Sequence, residues 1–276
     1  MSMTVRTNVA SMKATGQLGK TQLDLSRTLE RISSGYRINR AADDAAGLGV
    51  ATALETDTIS QQQGIRNAND GISIIQTAES ATNEVTDILQ RMRALAVQSA
   101  SETLANEERS YISDEFIQLQ SEIARIAAVT EFNGVLLNNG TLTSLDVQVG
   151  IHNDAQSRIA ISLGDLTTSN LNVGQASIDV LTVTGARNTL DVIDTALQSV
   201  NRSRSLLGAA QNRLDSAINN AMIYTEALSA AESQIRDADF AVETSELTKL
   251  QILQQSGVAA LAQAKNVNQS VISLLS

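Results

Sequence analysis

Few side chains here could do covalent or redox chemistry. Within 276 residues there is one histidine, His152, and no cysteine. That excludes thiol chemistry and disulfides, most nucleophile–base pairs and nearly all structural zinc sites. Carboxylates remain. Asp43-Asp44 is a carboxylate pair, a pattern that can suit metal binding or acid–base work, and Asp237 and Asp239 are a second pair positioned to cap the helix after them. Neither pair has a histidine beside it, and each precedes a helical pattern. Helix capping is therefore the expected role, since a carboxylate there accepts from free amides and complements the helix dipole. Gly47-Leu48-Gly49 follows a loop rather than a strand and makes a poor phosphate cradle. There is no Gly-x-Ser-x-Gly, Walker loop or dinucleotide fingerprint. These residues predict no enzyme, cofactor or metal.

The elements behind these residues are long helices. Leu190, Ile193, Leu197, Val200, Arg204, Leu207, Gln211, Leu214, Ile218, Ala221, Thr225, Leu228, Glu232 and Ile235 alternate steps of three and four. Such a stripe is a coiled-coil seam, and a helix of that span is about 70 Å long. It needs a long mate. Ile65, Ala68, Ile72, Ile75, Ala78, Thr82, Val85, Leu89, Met92 and Ala96 supply a matching seam on a helix expected over 44–99. Asp87 and Arg91 stand i,i+4 with the acid first and are expected to pair. A shorter helix should follow to about Thr130, with Asn106 as its N-cap and Phe116, Leu119, Ile123 and Ile126 inward.

Six of the fifteen glycines fall between Gly134 and Gly185. There Val147, Val149 and Ile151 alternate, His152 to Ala155 mark a turn, and Ile159, Ile161 and Leu163 alternate again. This predicts a β-hairpin with His152 in a solvated loop, and a third strand over 178–183. Both ends of the chain read as amphipathic helices, over 3–33 and 241–275. The fold expected is mainly α and elongated, with long antiparallel coiled coils and a small β-hairpin region.

Composition agrees. Three Phe, three Tyr and no Trp argue for thin aliphatic seams, and the absence of proline suits uninterrupted helices. The net charge of −10 is uneven: residues 1–50 carry +3, 51–240 carry −13 and 241–276 are neutral. An acidic middle excludes nucleic acid as partner. The ends lack a basic face and aromatic anchors, so no membrane is expected either. They are read as surfaces to be buried against other copies, with no mate inside a lone chain. No cleavable signal is expected at the start, because 1–29 lacks an apolar core segment.

The chain resembles bacterial flagellins over roughly 1–140 and 185–276. The resemblance rests on Ile32-Ser33-Ser34-Gly35-Tyr36-Arg37-Ile38-Asn39, Ala41-Ala42-Asp43-Asp44-Ala45-Ala46-Gly47, Arg66-Asn67-Ala68-Asn69-Asp70-Gly71-Ile72-Ser73, the stretch from Leu89 to Ser99, Phe132-Asn133-Gly134, Gly208-Ala209-Ala210-Gln211-Asn212-Arg213-Leu214 and Ser273-Leu274-Leu275. It implies a structural subunit that assembles into the flagellar filament used for motility. The alternative is the hook–filament junction protein of the same superfamily. Residues 1–35 and 241–276 would form the inner tube, through Leu18, Leu25, Leu29, Ile32, Leu250, Leu261, Val271 and Leu274. Residues 36–54 would be a connector, and 55–236 an outer α-helical domain with a β patch at about 135–185. Larger relatives insert further domains here, so this is a minimal form. The resemblance further implies an extracellular flagellar location, reached through type III export without signal cleavage. Its implied partners are other copies, the flagellar cap and hook-associated proteins, an export chaperone and the innate-immune Toll-like receptor 5. Positions matching the receptor contacts are Arg91, Leu95 and Glu115, with Arg91 and Leu95 on a face distinct from Met92. The family usually has Glu where this chain has Ala94, and proline is common where it has Asn268.

Overall fold

The structure is a computed structural model that describes residues 7–174 and 178–273. Its elements are α1 (Val9–Ser34), α2 (Ala45–Ser99), α3 (Asn106–Val129), β1 (Glu131–Phe132), β2 (Val135–Leu136), β3 (Ser144–Gln148), β4 (Arg158–Ser162), α4 (Val183–Arg236) and α5 (Phe240–Ser273). The fold is mainly α with two small antiparallel hairpins. Two compact units divide the chain, one of residues 1–56 and 227–276, the other of residues 57–226.

In the 57–226 unit, α2 and α4 run antiparallel. Arg93 Nε meets Asp194 Oδ1 at 2.7 Å, and a Cβ on Gly71 would touch Leu214. Every seam residue expected on α2 is buried or half-buried, and the same holds for the eleven on α4 from Leu190 to Thr225; Leu228, Glu232 and Ile235, in the other unit, are covered too. Two apolar clusters result. In one, Val85, Leu89 and Met92 of α2, Phe116 and Ile123 of α3 and Ile193 and Val200 of α4 pack together. In the other, α2 and α4 cradle the sheet through Ala68, Ile75, Leu207 and Leu214 against Val147, Ile159 and Ile161.

The main hairpin forms as expected, with Val147 opposite Ile159 and Leu145 opposite Ile161. Its first strand stops at Gln148, earlier than the alternation suggested, and Val149 to Ser157 form the connection. β3 and the residue after it dock on α2 at heptad-spaced Gly64 and Gly71, where a Cβ would overlap the Val149 carbonyl and press on the Val147 side chain, while Asn67 Nδ2 donates to the Gln148 carbonyl at 3.0 Å. The β1–β2 hairpin was not expected. Asn133 and Gly134 take φ of 49° and 77°, the left-handed pair a two-residue type I′ turn requires.

Several local expectations are corrected. Residues 178–180 are irregular and Val183 already opens α4, so there is no third strand there. Thr182 and Asp179 make that helix start possible: Gly185 N–H donates to Thr182 Oγ1 at 3.0 Å, and Asp179 accepts from Leu181 N–H and Thr182 Oγ1. Asn106 is the first residue of α3 rather than its cap. Ala105 holds that place, its amide donating to Glu108 Oε2 at 2.9 Å. Of the paired acids, Asp44 accepts from Gly47 N–H and Asp239 from Ala241 N–H, so each caps a helix. Asp43 instead closes the preceding turn, accepting from the amides of Asn39 and Arg40, and Asp237 accepts from Ser233 Oγ.

Candidate assembly surface

In the unit of residues 1–56 and 227–276, α1 and α5 pair antiparallel in one constant register. Asn8 Nδ2 donates to the Ala264 carbonyl at 2.9 Å, Gln254 Nε2 to Gln22 Oε1 at 2.6 Å, and Arg31 Nη1 meets Glu243 Oε1 at 3.3 Å. The seam follows three–four spacing on both helices. On α1 it runs Ser11, Ala14, Leu18, Thr21, Leu25, Thr28, Ile32; on α5, Glu243, Leu247, Leu250, Gln254, Gly257, Leu261, Ala264. All are buried or half-buried. Strict alternation over several heptads lets two helices mesh side chains along their length.

This corrects the expectation that the ends have no mate inside one chain. Leu18, Leu25, Ile32, Leu250 and Leu261 serve the α1–α5 seam. Leu29 is 48% exposed at its flank. The Val271 side chain and Leu274 lie outside the described residues. Sequence periodicity marked the stripe but could not say whether its mate was the same chain or another copy.

The seam itself is lean. Thr21, Thr28 and Glu243 are buried in it beside Leu25 and Leu250. Larger apolar side chains stand outside: Val9, Met12 and Leu23 on α1, and Val242, Ile252, Leu253 and Val258 on α5, all exposed. On α1 these residues join Gly16 and Gly19 at positions 9, 12, 16, 19 and 23. That is a second three–four series on the side opposite the seam, and neither glycine has a neighbour within 4 Å of where a Cβ would stand.

The helix pair is tied to the connector by a compact knot. Arg37 N–H donates to the Arg236 carbonyl at 2.6 Å and Ala238 N–H to the Gly35 carbonyl at 2.9 Å. The Arg236 guanidinium lies 4.1 Å from the Tyr36 ring centroid and reaches Glu55 at 3.1 Å and Glu232 at 3.5 Å. Glu232, a polar member of the α4 seam, thus serves an ion pair. Gly35 ends α1 at φ 75°, the left-handed cap a glycine adopts without strain. In the turn that follows, the Arg40 amide holds the Asp43 carboxyl below its ordinary range, against some desolvation.

The expected receptor contacts divide. Arg91 and Glu115 are exposed enough to meet a partner and pair with each other across α2 and α3 at 2.7 Å, so Arg91 is not the partner of Asp87. Leu95 is 3% exposed and lies in the same cluster as Met92, which corrects the assignment of Arg91 and Leu95 to one face apart from Met92. With α3 and α4 both packed on α2, the buried arc is wide enough to include both positions.

Arg109 escaped the sequence reading. It is 5% exposed, and its guanidinium donates to the carbonyls of Ser99 at 3.1 Å and Ser101 at 2.7 Å. Ser99 is the last residue of α2 and Ser101 lies in the turn just after it, so the charge sits at the negative end of that helix. An arginine three residues into a helix that follows another helix's end is the signal that could have revealed it.

Residues 5–143 match the bacterial flagellin N-terminal helical region, and residues 190–275 match the bacterial flagellin C-terminal helical region. The chain is 42% identical over 273 residues to a flagellin of Halalkalibacterium halodurans, covering 99% of this chain and all of that one. It is 41% identical over 287 residues to the flagellar filament 33 kDa core protein of Treponema phagedenis, again over 99% of this chain and all of the relative. With flagellin A of Vibrio anguillarum the identity is 34% over an alignment of 378 residues that includes the whole of both chains, so that relative carries insertions this one lacks. Family regions at both ends and near-complete coverage of relatives above 40% identity lead to one conclusion: this chain is a minimal member of the bacterial flagellin family, whose members are structural proteins and not enzymes.

Proposed function

We propose that this protein polymerises into the flagellar filament by burying the outer faces of its α1–α5 pair against other copies. The observation that carries this reading is the uncovered apolar series opposite the seam. Val9, Met12 and Leu23 stand exposed in it, and Val242, Ile252, Leu253 and Val258 add exposed apolar surface on α5 outside the seam. Burying one such side chain contributes about 1.5–3 kcal/mol. A handful offsets the roughly 4–15 kcal/mol that association costs in lost freedom. Gly16 and Gly19 give a neighbouring backbone room to approach. A surface that joins a different surface on the next copy, without closing a ring, builds a helical filament.

On this reading residues 1–35 and 241–276 form the inner tube, 36–54 the connector and 55–236 the outer domain. The flagellar cap and hook-associated proteins meet the growing or anchored end of the same tube. An export chaperone covers the apolar faces before assembly, and the chain leaves the cell through the type III route without signal cleavage. A chain free of cysteine can cross that route without thiol chemistry. Toll-like receptor 5, where it recognises this protein, reads the exposed Arg91 and Glu115, with Leu95 supporting their helix from beneath.

Leu23→Asp combined with Ile252→Asp tests the assembly. Purified protein should keep its monomer circular dichroism and lose seeded filament growth in electron micrographs. Filaments of normal length from the double variant would refute the reading. Wild-type protein that never forms long filaments, even from seeds, would refute it as well.

A further inference from the structure

With no cysteine, the chain carries all its sulfur in five methionines. A methionine thioether is soft and apolar, and oxidation turns it into a polar, chiral sulfoxide. Exposure separates the three that fall among the described residues. Met12 on α1 is 66% exposed and Met222 on α4 is 54% exposed. Met92 is 0% exposed, inside the cluster that joins α2, α3 and α4. A peroxide in solution therefore reaches Met12 and Met222 and is kept from Met92.

Met12 is also a member of the apolar row on α1 that runs Val9, Met12, Gly16, Gly19, Leu23 opposite the seam. The other members are hydrocarbon side chains or bare backbone, which peroxide leaves unchanged. Gly16 and Gly19 lie inside α1, where their amides are spent on the helix ladder, so the row itself offers a sulfoxide no free donor. Met222 belongs to the 57–226 unit, beside exposed Ile223 and Tyr224. It shares the chemistry and the accessibility of Met12 without a place in that row, and so serves as an internal control.

We propose that Met12 is an oxidative modification site that gates assembly: as the sulfoxide, the free subunit stays folded but no longer adds to a filament. In the reaction a lone pair of the thioether sulfur attacks one oxygen of hydrogen peroxide. The S–O bond forms as the O–O bond breaks, the proton passes to the departing oxygen, and water leaves. Sulfur gives up two electrons and the peroxide takes them. Methionine sulfoxide reductases reverse the change, so the gate reopens. This rests on the assembly reading above, in which the row is buried between copies. A polar oxygen buried there without a donor opposes that burial. The α1–α5 seam does not include Met12, so pairing within the subunit survives.

The test treats the full-length subunit with hydrogen peroxide until peptide mass spectra show one added oxygen at Met12. Seeded growth of the wild type should then need about tenfold more subunit, with the monomer circular dichroism unchanged. Methionine sulfoxide reductases A and B should restore growth. Met12→Leu, close to methionine in volume, should grow filaments and keep growing after the same treatment, whereas Met222→Leu should be impaired as the wild type is. Met12→Gln should imitate the oxidised subunit with no peroxide present, a reading that does not depend on Met12→Leu. Unimpaired growth of wild type oxidised at Met12, equal impairment of Met12→Leu by peroxide, or normal growth of Met12→Gln would overturn the gate. Untreated wild type that never grows from seeds would instead refute the assembly reading.

Discussion

Gly64 on α2 lies directly beneath the carbonyl of Val149, so closely that a methyl group there would overlap the oxygen. One turn on, Asn67 fastens the same strand through the Gln148 carbonyl, and Gly71 makes room for Val147. Glycine weakens a helix, so its place here reflects the strand it admits.

Gly64→Ala is therefore expected to destabilise the 57–226 unit by about 1–3 kcal/mol, as overpacking does. Gly16→Ala on α1 meets nothing within 4 Å and should stabilise its helix by up to about 1 kcal/mol. Urea denaturation of the two variants beside wild type reads both signs. Equal and small shifts would mean that β3 can lift from α2 at little cost.

Leu95→Ala removes a buried side chain packed among α2, α3 and α4, and should cost roughly 2–5 kcal/mol. Arg91→Ala breaks an exposed pair with Glu115 and should cost about 1 kcal/mol or less. A receptor reporter assay alongside thermal melts separates the two effects. Arg91→Ala should lower signalling with the melting temperature nearly unchanged. Leu95→Ala should lower both together. Full signalling from Arg91→Ala would remove Arg91 from the contact.

The Arg93–Asp194 pair gives a pH dependence with a defined sign. The hydrogen bond from Arg93, ahead of its Coulomb attraction, holds the Asp194 carboxyl below the ordinary value of 3.8. A carboxyl lowered in the folded state binds fewer protons there than when unfolded. Its contribution is thus complete above the ordinary value and is lost as pH falls through the lowered one. Asp194→Asn should leave the alkaline side of the stability profile parallel to wild type and flatten part of the acid limb below about pH 4. An acid limb identical to wild type would show that the pair does not hold in solution.

The sequence by itself determined the helices, the α2 and α4 seams and the main hairpin. Their evidence is local: a three–four or two-residue period, a glycine stop, a capping acid. It also carried the family, through motifs in fixed order. Tertiary structure decided what each stripe meets. Leu25 and Leu250 stand 225 positions apart, and periodicity is silent on whether such residues mate within one chain or between two. It was equally silent on Leu95, whose burial depends on α3 and α4 arriving together on one side of α2, and on residues 178–180, where apolar spacing suited a strand but no neighbouring strand edge was there to pair with. Arg109 differs: its carbonyl partners at Ser99 and Ser101 lie only ten and eight residues away, but the contact depends on how the turn between α2 and α3 folds, and no hydrophobic period announces a turn's path.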